Sequence, residues 1–241
     1  MNTILRNCDY KKLVTQMKRK KIVVDAIITD PPYGVSRKHQ LGFSNMGRSG
    51  MDYGEWDYNF DQVDWINRVS PLVKPGGAFI IFNDWKNASY IVETLTKNGF
   101  VVKDLIRWVK KNPMPRNVNS RYVNDFEVAI WAVKGKKYGT WTFNKPNDVP
   151  YLRPEFKTGL VPGGKKRIHP TQKKLSVIED LVRIHTNEND IVFDPFSGSG
   201  TCAVACKNLK RRFIGSEIDP IYYEKSVERI NGDISVKLSW E

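Results

Sequence analysis

Two short stretches hold the residue types that do chemistry. The first is Asp30-Pro31-Pro32-Tyr33, which closes a run containing Val23, Val24, Ala26, Ile27 and Ile28. That run is short, apolar and β-branched, as suits a strand buried on both faces. Pro32 has no N–H to give and the prolines restrict the residues before them, so the strand stops there. A carboxylate, two rigid peptide units and an aromatic ring are thereby presented at a C-terminal strand lip, where ligands bind in open α/β sheets. The same four residues also spell an ordinary proline turn with a capping Asp. The second stretch is Asp194-Pro195-Phe196-Ser197-Gly198-Ser199-Gly200-Thr201. It lies between a strand expected at Asp190–Phe193 and a helix expected from Cys202 to Leu209, and a further strand at Arg212–Ser216 runs into Glu217. Strand, glycine turn, helix and a strand ending in an acid make a nucleoside-binding half-site. Gly198 and Gly200 let backbone approach a ligand, and Glu217 can accept hydrogen bonds from ribose hydroxyls. The turn is neither Gly-x-Gly-x-x-Gly nor a Gly-Lys-Ser/Thr loop, which favours a nucleoside without phosphates over ATP or a pyrophosphate cofactor. Taken alone, the glycine pattern also fits a plain turn.

The elements that must position these stretches alternate in kind. A short strand at Thr3–Leu5 ends near Asp9, and a polar helix follows to about Lys21. Val63, Ile66, Val69 and Val73 have helical spacing, Lys74 to Gly77 reads as a helix stop and turn, and Ala78–Phe82 as a strand. A helix over Ala88–Asn98, closed by Gly99, precedes strands at Phe100–Val109 and Phe126–Val133. Helices at Thr171–His185 and Pro220–Ile230 complete the series, and the tail beyond Gly232 looks dispensable. Such alternation predicts an α/β domain with a mostly parallel sheet and helices on both faces. At 241 residues and 40% hydrophobic, one domain with a small insert is expected. No run of about 18 apolar residues offers a membrane span. The first residues lack a signal-peptide apolar core. Cys8, Cys202 and Cys206 have no metal-ligand spacing, and His39, His169 and His185 are far apart. A reduced, cytoplasmic setting without a metal is the expectation.

Lys and Arg number 39 against 26 Asp and Glu, a formal net charge of +13. This suits a polyanionic partner, although it also serves solubility. Two irregular segments concentrate basic residues with aromatics. One is 34–59, a loop long enough to be functional or mobile, with Arg37, Lys38 and Arg48 beside Phe43, Tyr53 and Trp56. The other is 134–167, with Lys136, Lys137, Lys145, Lys165, Lys166 and Arg167 among Tyr138, Trp141, Phe143, Tyr151 and Phe156. A third basic stretch, Arg107–Arg121, contains Arg116. Basic and aromatic residues so mixed suit phosphate contacts and base stacking. Solvated loops packed by their own aromatics would have the same composition.

Together, and in this order, the two motifs resemble the β class of DNA amino-methyltransferases, which use S-adenosylmethionine to methylate the exocyclic N6 of adenine or N4 of cytosine. His169-Pro170-Thr171-Gln172-Lys173 is similar to the segment ahead of the cofactor strand in that class. The resemblance runs from about Leu5 to Ile230. It implies a Rossmann-like methyltransferase fold with circularly permuted motif order. Residues 1–133 would form the catalytic part, 134–167 a target-recognition insert, 168–232 the cofactor-binding part and 233–241 a tail. It implies that Asp30 and the Pro31 carbonyl accept the two amino N–H groups of a flipped base, with Pro32 fixing the lip and Tyr33 stacking on the base. It places Asp9, Asp30, His169, Thr171, Lys173, Asp194, Phe196, Gly198, Ser199, Gly200, Thr201, Glu217 and Ile218 around the cofactor. Asp9 is explained as well by a helix N-cap, and Lys173 by an exposed helix-start lysine. A leading Asp leans toward adenine, with N4 of cytosine as the alternative. Methylation at cytosine C5 needs a Pro-Cys nucleophile, and no Pro precedes any of the three cysteines. A catalytically silent DNA-binding protein of the same fold is the alternative of another class. The implied partner is double-stranded DNA. A cognate restriction endonuclease, and a monomer or homodimer, are all compatible.

Overall fold

The β-branched run ahead of Asp30 forms the middle of an eight-stranded sheet. The structure, a computed structural model, describes residues 3–34, 60–115, 118–120, 122–135, 139–161 and 167–232. In chain order the elements are β1 (Thr3–Asn7), α1 (Tyr10–Arg19), β2 (Val24–Thr29), α2 (Asp64–Val69), β3 (Val73–Asn83), α3 (Ala88–Lys97) and β4 (Phe100–Lys110). Then follow β5 (Phe126–Lys134), β6 (Glu155–Thr158), α4 (Leu175–His185), β7 (Ile191–Asp194), α5 (Thr201–Asn208), β8 (Arg212–Glu217) and α6 (Pro220–Asn231). The sheet order is β1-β8-β7-β2-β3-β5-β4-β6. Only β5 runs antiparallel to its neighbours, so its beginning lies at the end of the sheet where the parallel strands finish.

Alternate residues of each central strand feed two cores. Ala26, Ile28, Ile80 and Phe82 pack with Val177, Leu181, Ala203 and Ile230 on the α4–α5–α6 face. Ile27, Phe79 and Ile81 pack with Leu13, Met17, Trp65 and Ile91 on the α1–α2–α3 face. Both faces are therefore covered, as the apolar strands require. On α1, Tyr10, Leu13, Val14 and Met17 bury a stripe with helical spacing, while Asp9 caps its start.

Three features differ from the sequence reading. Val23 is 55% exposed and precedes β2, so the buried run begins at Val24. Val73 does not close a helix. It begins β3 and pairs with Val24, with Lys74–Gly77 drawn into the strand behind it. A Cβ on Gly77 would lie 2.8 Å from the Asp25 carbonyl oxygen, so glycine there marks a close backbone approach rather than a helix stop. Third, the segment 134–167 is not wholly irregular, because β6 pairs with β4 at the sheet edge.

The central neighbours β2 and β7 pair through Ala26↔Val192 and Ile27↔Phe193, and the chain leaves them toward opposite sides. A crevice opens beyond the ends of two such strands, as at the switch point of doubly wound sheets.

Candidate active site

The two lip motifs meet in that crevice. The last residue of β2, Thr29, donates its hydroxyl to Asp194 Oδ1 at 2.6 Å, joining one lip to the other. Beyond Thr29 the backbone of the first motif is held by a ladder of amides. Gln62 Nε2 donates to the Pro32 carbonyl at 2.6 Å, and Asn83 Nδ2 donates to Gln62 Oε1 at 3.1 Å. Asn87 Nδ2 donates to the Tyr33 carbonyl at 2.9 Å and to Asn83 Oδ1 at 2.8 Å. None of these three amide residues stood out in the sequence, because each lies in a turn or at a strand end where Asn and Gln are common.

The Asp30 side chain is a fifth exposed and has partners on both oxygens. Tyr33 donates its hydroxyl to Oδ1 at 2.6 Å, and Lys173 Nζ donates to Oδ2 at 2.5 Å. Lys173 Nζ also lies 3.0 Å from Glu127 Oε2, while Lys110 Nζ lies 2.7 Å from Glu127 Oε1. Lys173 is thus buried in a chain of alternating charges, not the exposed helix-start lysine that its position allowed. Burial pushes the Asp30 carboxyl above its ordinary value, with the Lys173 ammonium opposing. Burial would raise Glu127 too, but Lys173 and Lys110 outweigh it and bring the carboxyl down to about 2. The only hint of Glu127 in the sequence was one acid within an apolar strand.

On the other lip the glycine turn is fixed from three sides. Gly198 and Gly200 take positive φ, +49° and +67°, and a Cβ on Gly200 would come 3.0 Å from Ser226 Cβ of α6. Glu217 at the end of β8 accepts from Gly198 N at 2.7 Å and Asp219 N at 2.9 Å. Arg229 donates to the Ser199 carbonyl at 2.9 Å and to Thr201 Oγ1 at 2.8 Å, so its charge is committed to shaping the turn. Phe196 is clasped by Tyr10, Phe60 and Trp65, with ring centroids 5.0, 5.4 and 5.3 Å away. Asp194 is buried and accepts from Phe196 N at 3.1 Å. Burial raises its carboxyl to about 7, helped by the Asp30 and Glu217 charges and opposed by its donors. His169 sits edge-on to Tyr222, with ring centroids 4.3 Å apart, and burial holds it down to about 4.

One cleft of 980 Å³ takes in Asp30, Pro31, Pro32 and Tyr33, together with Asp9, His169, Thr171, Lys173, Asp194, Phe196, Gly198, Ser199, Thr201, Glu217 and Ile218. Of the expected cofactor residues, Gly200 alone lies behind the wall, under α6. Asp9 both lines the cleft and caps α1, accepting from Lys11 N at 2.7 Å, so its two readings are compatible. Trp108, Met114, Leu160 and Val161 were missed in the sequence, and add an apolar wall from the β4–β6 edge. Of the basic residues expected at DNA, Arg37, Lys38, Arg48, Arg116, Lys136, Lys137, Lys165 and Lys166 lie outside the described residues. Arg167 lines the cleft. Lys145 is placed elsewhere. Its ammonium donates to the carbonyls of Pro146 and Val149, and its neighbour Asn144 is bound to the C-terminal end of α4, at the sheet end opposite the lips. Among the described residues no group of three or more His, Cys, Asp or Glu could hold a metal ion, and no helix is long and apolar enough to cross a membrane.

A lip offering acceptors to an amino group, beside a cleft whose acids suit a nucleoside without phosphates, fits an amino-methyltransferase on a Rossmann-like sheet. The sequence profile of the N6/N4 DNA methylase family matches residues 24–228, and the chain belongs to that family. It is a DNA methyltransferase, an enzyme class whose methyl donor is S-adenosylmethionine. Among similar proteins are the Type II methyltransferases M2.LlaDCHI of Lactococcus lactis subsp. cremoris and M2.DpnII of Streptococcus pneumoniae, 32% and 31% identical. Each match covers 95% of this chain and 90% of the relative. The M1.HpyAVI–SAM complex superposes with a TM-score of 0.77 at 44% identity, over 95% of this chain and 99% of that one. The cytosine-N4-specific PvuII DNA methyltransferase shares the fold, with a TM-score of 0.70 at 18% identity. The donor set fits the cofactor. Acids at Asp9, Asp194 and Glu217 suit hydroxyls, an amino group and a positive sulfonium, and would repel a phosphate.

Proposed function

We propose that the chain methylates the exocyclic N6 of adenine at a specific site in duplex DNA, as the modification enzyme of a Type II restriction–modification system acting in the cytoplasm. The observation that carries this reading is the Asp30 carboxylate, held at the lip of the cleft beside the Pro31 carbonyl. The Type II methyltransferases that match along nearly their whole length support the biological setting. The leading Asp of the motif supports adenine over N4 of cytosine.

An exocyclic amino group is a poor nucleophile because its lone pair is delocalised into the ring, and in a duplex it is also stacked and paired. The base is therefore flipped into the cleft. Asp30 and the Pro31 carbonyl accept its two N–H bonds, which favours a tetrahedral nitrogen with a free lone pair. Tyr33, its hydroxyl fixed on Asp30, presents its ring to the base, and the amide ladder through Gln62, Asn83 and Asn87 keeps the lip rigid. Asp9, Phe196, Gly198, Ser199, Thr201, Glu217 and Ile218 would hold S-adenosylmethionine, with Asp194, His169 and Thr171 shaping the floor and rim. Bound there, it would supply an electrophilic methyl to the amino nitrogen, with the electron pair of the broken S–C bond left on sulfur. The nitrogen then loses one proton, toward Asp30 or water. Positioning and a preorganised anion supply most of the acceleration.

The DNA face lies on the lip side. Leu160, Val161 and Arg167 line the cleft on that side, whereas 139–149 docks at the opposite end of the sheet. Segments 35–59 and 162–166, expected at DNA from their basic residues, lie outside the described residues. Residues 134–167 are thus assigned two roles rather than one recognition insert.

The test is transfer of labelled methyl to unmethylated duplex DNA, followed by nucleoside analysis. N6-methyladenine made by the wild type and absent with Asp30→Ala is the expected result. N4-methylcytosine would overturn the choice of base, and cofactor binding without any transfer would overturn the enzyme reading.

A further inference from the structure

Glu127 belongs to neither motif, yet it reaches the catalytic lip. It stands one residue into β5, and the antiparallel course of that strand brings its beginning to the end of the sheet where β2 finishes. There its carboxylate is clamped between Lys110 at the end of β4 and Lys173 ahead of α4, 2.7 and 3.0 Å away. Lys173 is shared: the same ammonium lies 2.5 Å from Asp30. The four side chains are only 6% to 23% exposed, so water screens these charges weakly. The other groups facing Asp30 are the Tyr33 hydroxyl of its own segment and Asp194 at the end of β7, with Asp84 beyond β3 acting on Tyr33.

A lysine paired with Asp30 alone would cancel the charge that must face the target amino group. Two carboxylates around one ammonium leave a net negative charge at the lip, and Lys110 compensates from the far oxygen of Glu127, at greater distance from Asp30. We infer that Glu127 is a positioning residue for methyl transfer: by holding part of the Lys173 ammonium it stops that charge from neutralising Asp30, and so leaves Asp30 the stronger acceptor as the amino nitrogen becomes positive. The inference rests on the assignment of Asp30 to the target amino group. Burial and Glu127 both raise the Asp30 carboxyl, whereas Lys173 lowers it, so the two neighbours pull in opposite directions.

The experiment is single-turnover methyl transfer by the full chain, with DNA and S-adenosylmethionine saturating, followed across pH for wild type, Glu127→Gln, Glu127→Asp and Lys173→Gln. Melting temperature and calorimetric binding of S-adenosylhomocysteine serve as controls that do not depend on turnover. In Glu127→Gln, which keeps volume and one acceptor, the plateau rate falls about tenfold or more, and cofactor binding is kept. Its acid limb moves to lower pH, because the repulsion on Asp30 is gone. In Lys173→Gln the acid limb moves to higher pH. Glu127→Asp restores charge and recovers most of the rate. A Glu127→Gln enzyme with wild-type rate and an unmoved acid limb overturns the inference, as does movement of both limbs in one direction. Should Glu127→Gln fail to fold, the plateau rate of Glu127→Asp decides: near wild-type it supports the role of the charge, and at the Lys173→Gln level it overturns it. An Asp30→Ala enzyme that still transfers methyl would instead refute the assignment of Asp30.

Discussion

Asp30 has a donor on each oxygen before any substrate arrives, Tyr33 on one and Lys173 on the other. Its position is therefore set by the protein, and in the proposed mechanism its contribution depends on charge rather than reach. Asp30→Asn should keep the shape but lose the anion. We expect methyl transfer to fall by on the order of 100-fold or more, with S-adenosylmethionine binding little changed, as read by single-turnover kinetics beside calorimetry. Glu127 gives a prediction in acid. Its folded carboxyl lies at about 2 against an ordinary 4.5, so its stabilisation is complete above about 4.5 and is lost as pH falls toward 2. The shift corresponds to about 3 kcal/mol. Glu127→Gln should therefore be less stable than wild type near neutrality and converge with it near pH 2 in urea titrations. The sequence announces Asp30 through Tyr33 because a carboxylate before two prolines is rare and local. It does not announce Lys173 as the partner of Asp30, since 143 residues separate them and only the folded sheet brings them together.

At the scale of elements, the two lips are one unit because β2 and β7 are neighbours. Thr29→Val keeps shape but removes the donor to Asp194, leaving a buried acceptor short of a partner. A loss of about 1–3 kcal/mol is expected in denaturant titration, with weaker cofactor binding. The glycine turn is supported from below by β8. A Cβ on Gly215 would fall 2.4 Å from Ser197 Oγ and 2.6 Å from the Phe213 ring. Gly215→Ala should cost about 1–3 kcal/mol and raise KM for S-adenosylmethionine by displacing the turn, whereas unchanged melting and KM would show that the strand yields. Strands β2, β7 and β8 were legible as apolar runs between turn signals. The antiparallel course of β5 was not, since a buried strand looks alike in either direction. Nor was β6, whose four residues on the sheet edge are too few to show a period. The boundary of α2 was misplaced because Val73 extends its helical spacing by chance, while pairing with Val24 decides its conformation.

For the whole molecule, a net charge of +13 makes DNA affinity fall with salt. Reversing Lys165, Lys166 and Arg167 together should weaken binding and flatten the slope of log affinity against log salt by about 3 if each meets a phosphate. Lys145→Glu, docked at the opposite end of the sheet, should leave the slope as it was. Fluorescence anisotropy over a salt series separates the two outcomes. Charge also has a proton side. Asp194, buried where the two lips join, holds its carboxyl at about 7 and so carries a proton part of the time at neutral pH. A positively charged ligand entering the cleft favours the ionised form. Uptake of S-adenosylmethionine should then expel a fraction of a proton, and affinity should climb as pH rises through 7. Calorimetry in buffers of different ionisation enthalpy would give heats that differ by that fraction. Heats that agree would place the proton elsewhere. The floor of the cleft would thus couple how tightly the enzyme holds its methyl donor to the acidity of its surroundings.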